Sequence, residues 1–156
     1  MRGRWGYGKA YFMGRDLPEL GRGPCVGQGV LATGVHHMTD AADREPARDP
    51  QELERMLIAR QWAGDVEGIV ALFDENAIID TGEGELTIGH DAIRALFAKF
   101  VAAGRKFQVG TQSPAVINGD LALTSTHLPD GKVTAEVARR QSDGTWLWVI
   151  DRYSVT

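Results

Sequence analysis

LALTSTHLPDGKVTAEVARRQSDGTWLWVIDRYSV, residues 121–155, is the stretch on which the fold turns. Apolar and polar residues alternate over extended runs of about 7 to 10 residues, and Pro129-Asp130-Gly131 and Asp143-Gly144 interrupt them with turn chemistry. Asn118-Gly119 supplies another turn just upstream, so the chain from Phe107 onward reads as an antiparallel meander.

Alternation also assigns side chains to faces. A tight turn at Asp143-Gly144 sets Ser142 opposite Thr145, and carrying that register back along the hairpin sets Glu136 opposite Asp151. One face then holds Thr134, Glu136 and Ala138 against Tyr153, Asp151 and Val149. The other holds Val137 and Arg139 against Ile150 and Trp148, with Ala135 against Arg152. Both faces are substantially apolar, as a sheet requires when a cavity lies on one side and a partner subunit on the other. Two directly opposed carboxyls cost ~0.2–1 kcal/mol in a sheet and more in a dry pocket. Either they share a proton, which creates a general acid or hydrogen-bond donor, or a nearby cation compensates. The plain alternative is a solvated pair at a pocket mouth that does nothing.

His127 is another candidate for proton transfer near neutral pH. A two-residue connection after it brings Ser125 and His127 onto the Glu136 face, whereas a bulge at Gly131 brings Thr124 and Thr126 there instead.

Upstream the period becomes helical. Asp49, Pro50 and Glu52 form a helix start; Leu53, Met56, Leu57 and Ala63 make its apolar stripe, leaving Glu54 and Arg55 outside, and Gly64 is its left-handed stop. Asp65 caps a second short helix with Ile69, Leu72 and Phe73 buried and Asp74 to Asn76 as its exit. A strand over Ala77–Asp80, a turn over residues 81–85 and a short extended run over Leu86–Ile88 follow. A third helix starts near Asp91 and buries Ile93, Leu96, Phe97 and Phe100 before Gly104 closes it. His90, at that helix's entry, reads as a cap or surface residue. Helices first and a sheet afterwards define an α+β fold.

GDVEGIVALFDENAIID (residues 64–80), GHDAIRALF (89–97) and RRQSDGTWLWVIDRYSV (139–155) resemble the nuclear transport factor 2-like superfamily, and within it the SnoaL-like and ketosteroid isomerase-like small proteins, over residues 49–156. The resemblance implies a cone-shaped, cystatin-like roll of three N-terminal helices on a curved antiparallel sheet, with a ligand cavity between the layers and dimerisation through the outer sheet face. That superfamily contains isomerases, cyclases, hydrolases and proteins of no known activity. The same comparison favours His127 facing inward and puts Glu136 at the second oxyanion-stabilising acid of ketosteroid isomerases. It puts Leu57 where those enzymes carry their oxyanion-binding tyrosine, and Thr81 where they carry the proton-abstracting carboxylate, with Asp80 one residue early. The set needed for enolisation is incomplete, which disfavours steroid isomerase activity.

The reading is therefore a pocket protein for a small, largely apolar organic ligand. As an enzyme it would perform cofactor-independent acid/base chemistry of isomerase, cyclase or hydratase type. Glu136 and Asp151 would be the carboxylate pair, His127 the proton carrier, and Asp80, Leu57, Ser125, Val149 and Tyr153 the residues around the ligand. As a non-catalytic ligand-binding or association module it would use the Trp146, Trp148 and Ile150 row as its partner interface, which is also the surface expected for a homodimer.

Composition bounds the alternatives. A chain of 156 residues with 43% hydrophobic and 24% charged content fits one globular domain, and a formal charge of -4 argues against a large nucleic-acid surface. The single Cys25 cannot form an internal disulfide, no spaced His and Cys set suggests a metal, and no glycine-rich phosphate loop follows a strand. No cofactor is expected. Nothing in the sequence is long and apolar enough for a membrane span or a secretory signal, so the expected compartment is the cytoplasm. Residues 1–37 hold 9 of the 19 glycines and show no periodicity, which predicts a disordered N-terminal extension. Its rival is a single-strand nucleic-acid contact through RGRWGYGKAYF. Residues 38–48 read as a polar lead-in.

Overall fold

A computed structural model of the chain describes residues 44–156. The expected disordered arm at 1–37 and most of the lead-in lie outside the described residues.

Helix α1 spans Glu52–Ala63. It starts later than expected, with Gln51 rather than Asp49 at the N-cap, although the Asp49 carboxylate accepts from Gln51 N (2.9 Å) and the Glu52 carboxylate reaches back to Arg48 N (2.9 Å) and Asp49 N (3.3 Å). Gly64 closes it in the left-handed region at φ 74°. Asp65 caps α2 (Val66–Val70) by accepting from Gly68 N, and the same carboxylate holds Arg44 at 2.7 Å. The chain then turns extended earlier than the apolar spacing predicts. Strand β1 covers Phe73–Asp80, so Phe73 belongs to the sheet and Asp74 to Asn76 are strand residues. After β2 (Leu86–Ile88), α3 runs over Gly89–Ala102, beginning two residues before Asp91. His90 sits in its first turn, with Nε2 2.9 Å from the carbonyl of Phe73.

The remaining strands are β3 (Thr111–Gln112), β4 (Val116–Asn118), β5 (Leu121–His127), β6 (Val133–Arg140) and β7 (Trp146–Arg152). They form one open, curved sheet in the order β2-β1-β7-β6-β5-β3, with β4 also paired to β5. The meander is antiparallel as expected, but β1 joins β7 in parallel, so the sheet is mixed. No described helix is long and apolar enough to cross a membrane.

The β6–β7 hairpin meets its expected pairing by an unexpected route. The turn is one residue longer than a two-residue connection: Gln141 N donates to Thr145 O (2.7 Å) and Arg140 faces Trp146. A bulge at Val149 then restores the register, so that Val137 faces Ile150 and Glu136 faces Asp151. Between turn and bulge every β7 side chain is on the opposite face from the one read in the sequence. Trp146 and Trp148 therefore point into the core, 5% and 1% exposed, where the Trp148 ring packs on Phe73 at 5.3 Å and Phe73 on Phe97 at 6.0 Å. This corrects the expected partner interface: of its three residues only Ile150, 47% exposed, lies on the outer face.

Candidate functional site

A cavity of about 380 Å³ opens between α1 and the sheet. Helix α1 contributes Glu54 and Leu57, the segment after α3 contributes Arg105 and Phe107, and the β5–β6 turn contributes Leu128. Strands β6 and β7 bring Thr134, Glu136 and Asp151, and Tyr153 follows immediately after β7. Edge-to-face contacts between Phe107 and Tyr153 (6.2 Å) and between Phe97 and Phe107 (6.1 Å) tie the cavity wall to the core, which fixes the Tyr153 ring.

Glu136 and Asp151 are 3% and 4% exposed, so both carboxyls lie deep. The Thr124 hydroxyl donates to Glu136 Oε2 at 2.7 Å. Burial raises the Glu136 carboxyl above its ordinary range, and the Thr124 hydrogen bond works against that rise. Asp151 is raised well above the usual carboxylate range, first by burial and then by the charges of Glu136 and Glu54. Glu54 moves from 4.5 to about 7, because burial and then the Glu136 charge disfavour its ionised form. The Tyr153 hydroxyl oxygen is buried without a hydrogen-bond partner among the described residues, and burial followed by the Asp151 charge holds its proton on.

This arrangement favours the protonated forms of Asp151 and Tyr153 and leaves Glu54, near 7, poised between acid and base. Donors and acceptors of protons thus face one space, the elementary requirement for acid/base chemistry on a bound molecule. Among the described residues no group of three His, Cys, Asp or Glu side chains is arranged to hold a metal ion.

Of the residues read from the sequence, Glu136, Asp151, Leu57 and Tyr153 line this cavity together. His127 does not. The β5–β6 turn takes the bulged alternative, with Gly131 at φ 88° and Leu128 N donating to Lys132 O, so Thr124 faces Glu136 and Thr126 faces Thr134. Thr124 and Thr126 are buried, whereas His127 is exposed and Ser125 lies on the outer face with it. Asp80 also points away: its carboxylate accepts from Gly82 N (2.8 Å) and pairs with Arg152 at 3.3 Å, while its neighbour Thr81 borders the cavity. Val149 occupies the bulge and does not line the cavity.

Glu54 is the residue that sequence reasoning placed outside. Its signal was present in the i, i+3 and i+4 relation to Leu57 and Ile58, both buried, which widens the apolar stripe of α1 past the position of Glu54.

Helices layered on an open, curved sheet define the nuclear transport factor 2-like class, whose fold is also called cystatin-like. Within it the chain belongs to the SnoaL-like domain family, which matches residues 53–156. No curated protein matches the chain. Among solved structures, it is similar to a function-unknown protein from Mycobacterium tuberculosis, with a TM-score of 0.55 and 19% identity over 65% of this chain and 66% of that one. A cystatin-like domain of unknown function from Nostoc punctiforme aligns with a TM-score of 0.53 and 21% identity, covering 67% of this chain and 75% of that one. A ketosteroid isomerase-like protein from Erwinia carotovora atroseptica aligns with a TM-score of 0.52 and 10% identity, covering 68% and 93%. At these identities the likeness is one of fold.

Proposed function

We propose that the chain binds a small, largely apolar organic molecule in this cavity and moves protons on it without a cofactor. The observation that carries the reading is the opposed, buried Glu136–Asp151 pair beside the unpartnered Tyr153 hydroxyl, all facing a space large enough for a two-ring compound. Leu57, Phe107 and Leu128 take the apolar body. Tyr153 and Asp151 hydrogen-bond its polar end, while Glu136 and Glu54 exchange protons with it. 2-Tetralone in D2O tests this, because its α-hydrogens exchange when a base and an acid act together. The protein is expected to accelerate that exchange over buffer, and the double variant Glu136→Gln, Asp151→Asn to lower the acceleration by ~10²-fold. Binding of 2-tetralone with no accelerated exchange would leave a ligand-binding module and sink the catalytic reading.

We also propose that a second copy covers the outer sheet face. The pairing sets Val116, Leu123, Val137, Ile150, Ile78 and Ile88 in one row across the sheet. Val116 (66%), Leu123 (50%), Ile150 (47%) and Ile88 (57%) are exposed, more aliphatic surface in one line than scattered single residues would explain.

A further inference from the structure

Three carboxyls from three separate elements face one cavity: Glu54 from α1, Glu136 from β6 and Asp151 from β7. None of them forms an ion pair with a described residue. The cations bordering the mouth are engaged elsewhere. Lys132 pairs with Asp130 at 3.6 Å, Lys106 Nζ donates to the Trp62 carbonyl at 2.9 Å, and the Arg105 guanidinium lies 4.4 Å over the Phe100 ring and 5.5 Å over Phe107. Glu136 and Asp151 are thus deep and Glu54 half-buried, all three without an ion-pair partner among the described residues, whereas Arg105, Lys106 and Lys132 are exposed.

Two further observations point to a ligand. Asp151, 96% buried, makes no hydrogen bond to a described side chain, although it borders the cavity, and the buried Tyr153 hydroxyl has no partner either. A carboxylate removed from water either takes up a proton or gains from a cation beside it, and in a cavity of low dielectric constant that attraction is strong. The three carboxyls do not close on a point as a metal site would. The complementary cation therefore has several donors that can diverge, and an ammonium group has that property. Its apolar neighbours suit an organic ion: Leu57, Phe107 and Leu128 offer contact to a hydrocarbon body.

We infer that this cavity takes an organic amine, bound as its ammonium ion among Glu54, Glu136 and Asp151 with an apolar body against Leu57, Phe107 and Leu128. The inference rests on the pocket-binding reading and adds to it the charge of the ligand. Ammonium binding favours ionised carboxyls, so affinity rises with pH through the range in which they lose their protons. Glu54, raised to about 7, dominates that range. The ionisable groups facing it are Glu136 and Asp151 from the sheet and Tyr153 beyond β7, all raised. At the mouth stand Arg105 and Lys106 after α3, Lys132 and Asp130 in the β5–β6 turn, and Glu83 in the β1–β2 turn.

A matched set of probes separates the possibilities: 2-naphthylmethylamine, its neutral counterpart 2-naphthylmethanol, and 2-naphthoate, each titrated calorimetrically into the full chain at pH 8 and pH 5.5. The amine stays protonated at both values. It is expected to bind at least ~10-fold more tightly than the alcohol at pH 8, with the carboxylate weakest, and to lose most of that advantage at pH 5.5 as Glu54 takes up its proton. Glu54→Gln and Glu136→Gln are expected to shrink the advantage several-fold while the alcohol still binds, which shows that the cavity is intact. Equal binding of amine and alcohol at pH 8 would overturn the inference and leave the pocket reading standing. Binding of none of the three would overturn the pocket reading, and the inference with it.

Discussion

Glu54 has its carboxyl in the wrong solvent for a charge, and that has a consequence for folding that can be given a sign. In the unfolded chain it ionises near 4.5; in the folded chain, near 7. Below 4.5 both states are protonated and the group contributes nothing. As pH rises, the unfolded state releases its proton first, so the folded state loses stability relative to it until the loss is complete above 7. The interval corresponds to at most ~3 kcal/mol. Glu54→Gln is therefore expected to raise the urea midpoint at pH 8 and to leave it nearly unchanged at pH 4. A variant no more stable than the parent at pH 8 would show that the Glu54 carboxyl is solvated. Residue by residue, the site was half readable. Glu136 and Asp151 could be found because strand alternation couples two positions at once, and Tyr153 follows Asp151 by a strand period of two. Glu54 was missed because a helical stripe has soft edges, and a glutamate at the edge belongs to water or to the core according to what packs against it.

At the scale of elements, a turn and a bulge act as opposite steps of one residue. The longer turn after Gln141 displaces β7 against β6, and Val149 returns it. Counting from the turn alone gave the right partner for Glu136 and the wrong face for everything between Thr145 and Val149. Bulges leave little trace in side-chain pattern, and a stretch reading WLWV is apolar on both faces, so alternation could not reveal the shift. The same limit affected His127, where the glycine in Pro129-Asp130-Gly131 permits either turn and the buried threonines decide the matter only once the helices are in place. Trp148 is accordingly a core residue. Trp148→Ala is expected to destabilise the fold by ~3–5 kcal/mol in denaturant unfolding without first changing the state of association. Loss of association with unchanged stability would return the tryptophan to the outer surface.

For the whole molecule, the order of helices and strands and the α+β class were readable because capping residues, helical stripes and turn residues agree with one another along the chain. The parallel junction of β1 with β7 was not, since it joins segments about 70 residues apart and depends on which edge the first strand finds. That junction completes the outer aliphatic row, which continues through Ile78 and Ile88. Ile150→Glu, at the centre of the row and away from the cavity, is expected to shift an associated form to a monomer on a sizing column while preserving binding of 2-naphthylmethanol. An unchanged elution volume for an associated species would move the interface elsewhere. The Val149 bulge has a last consequence, for comparison across the family. A relative with a two-residue connection and no bulge would keep the Glu136 and Asp151 positions in step with this chain, yet its residues between would face the other way. Sequences laid side by side through this hairpin therefore need a gap in the turn and a matching one at Val149. Without that pair of gaps, interior positions of one protein would be scored against exterior positions of another.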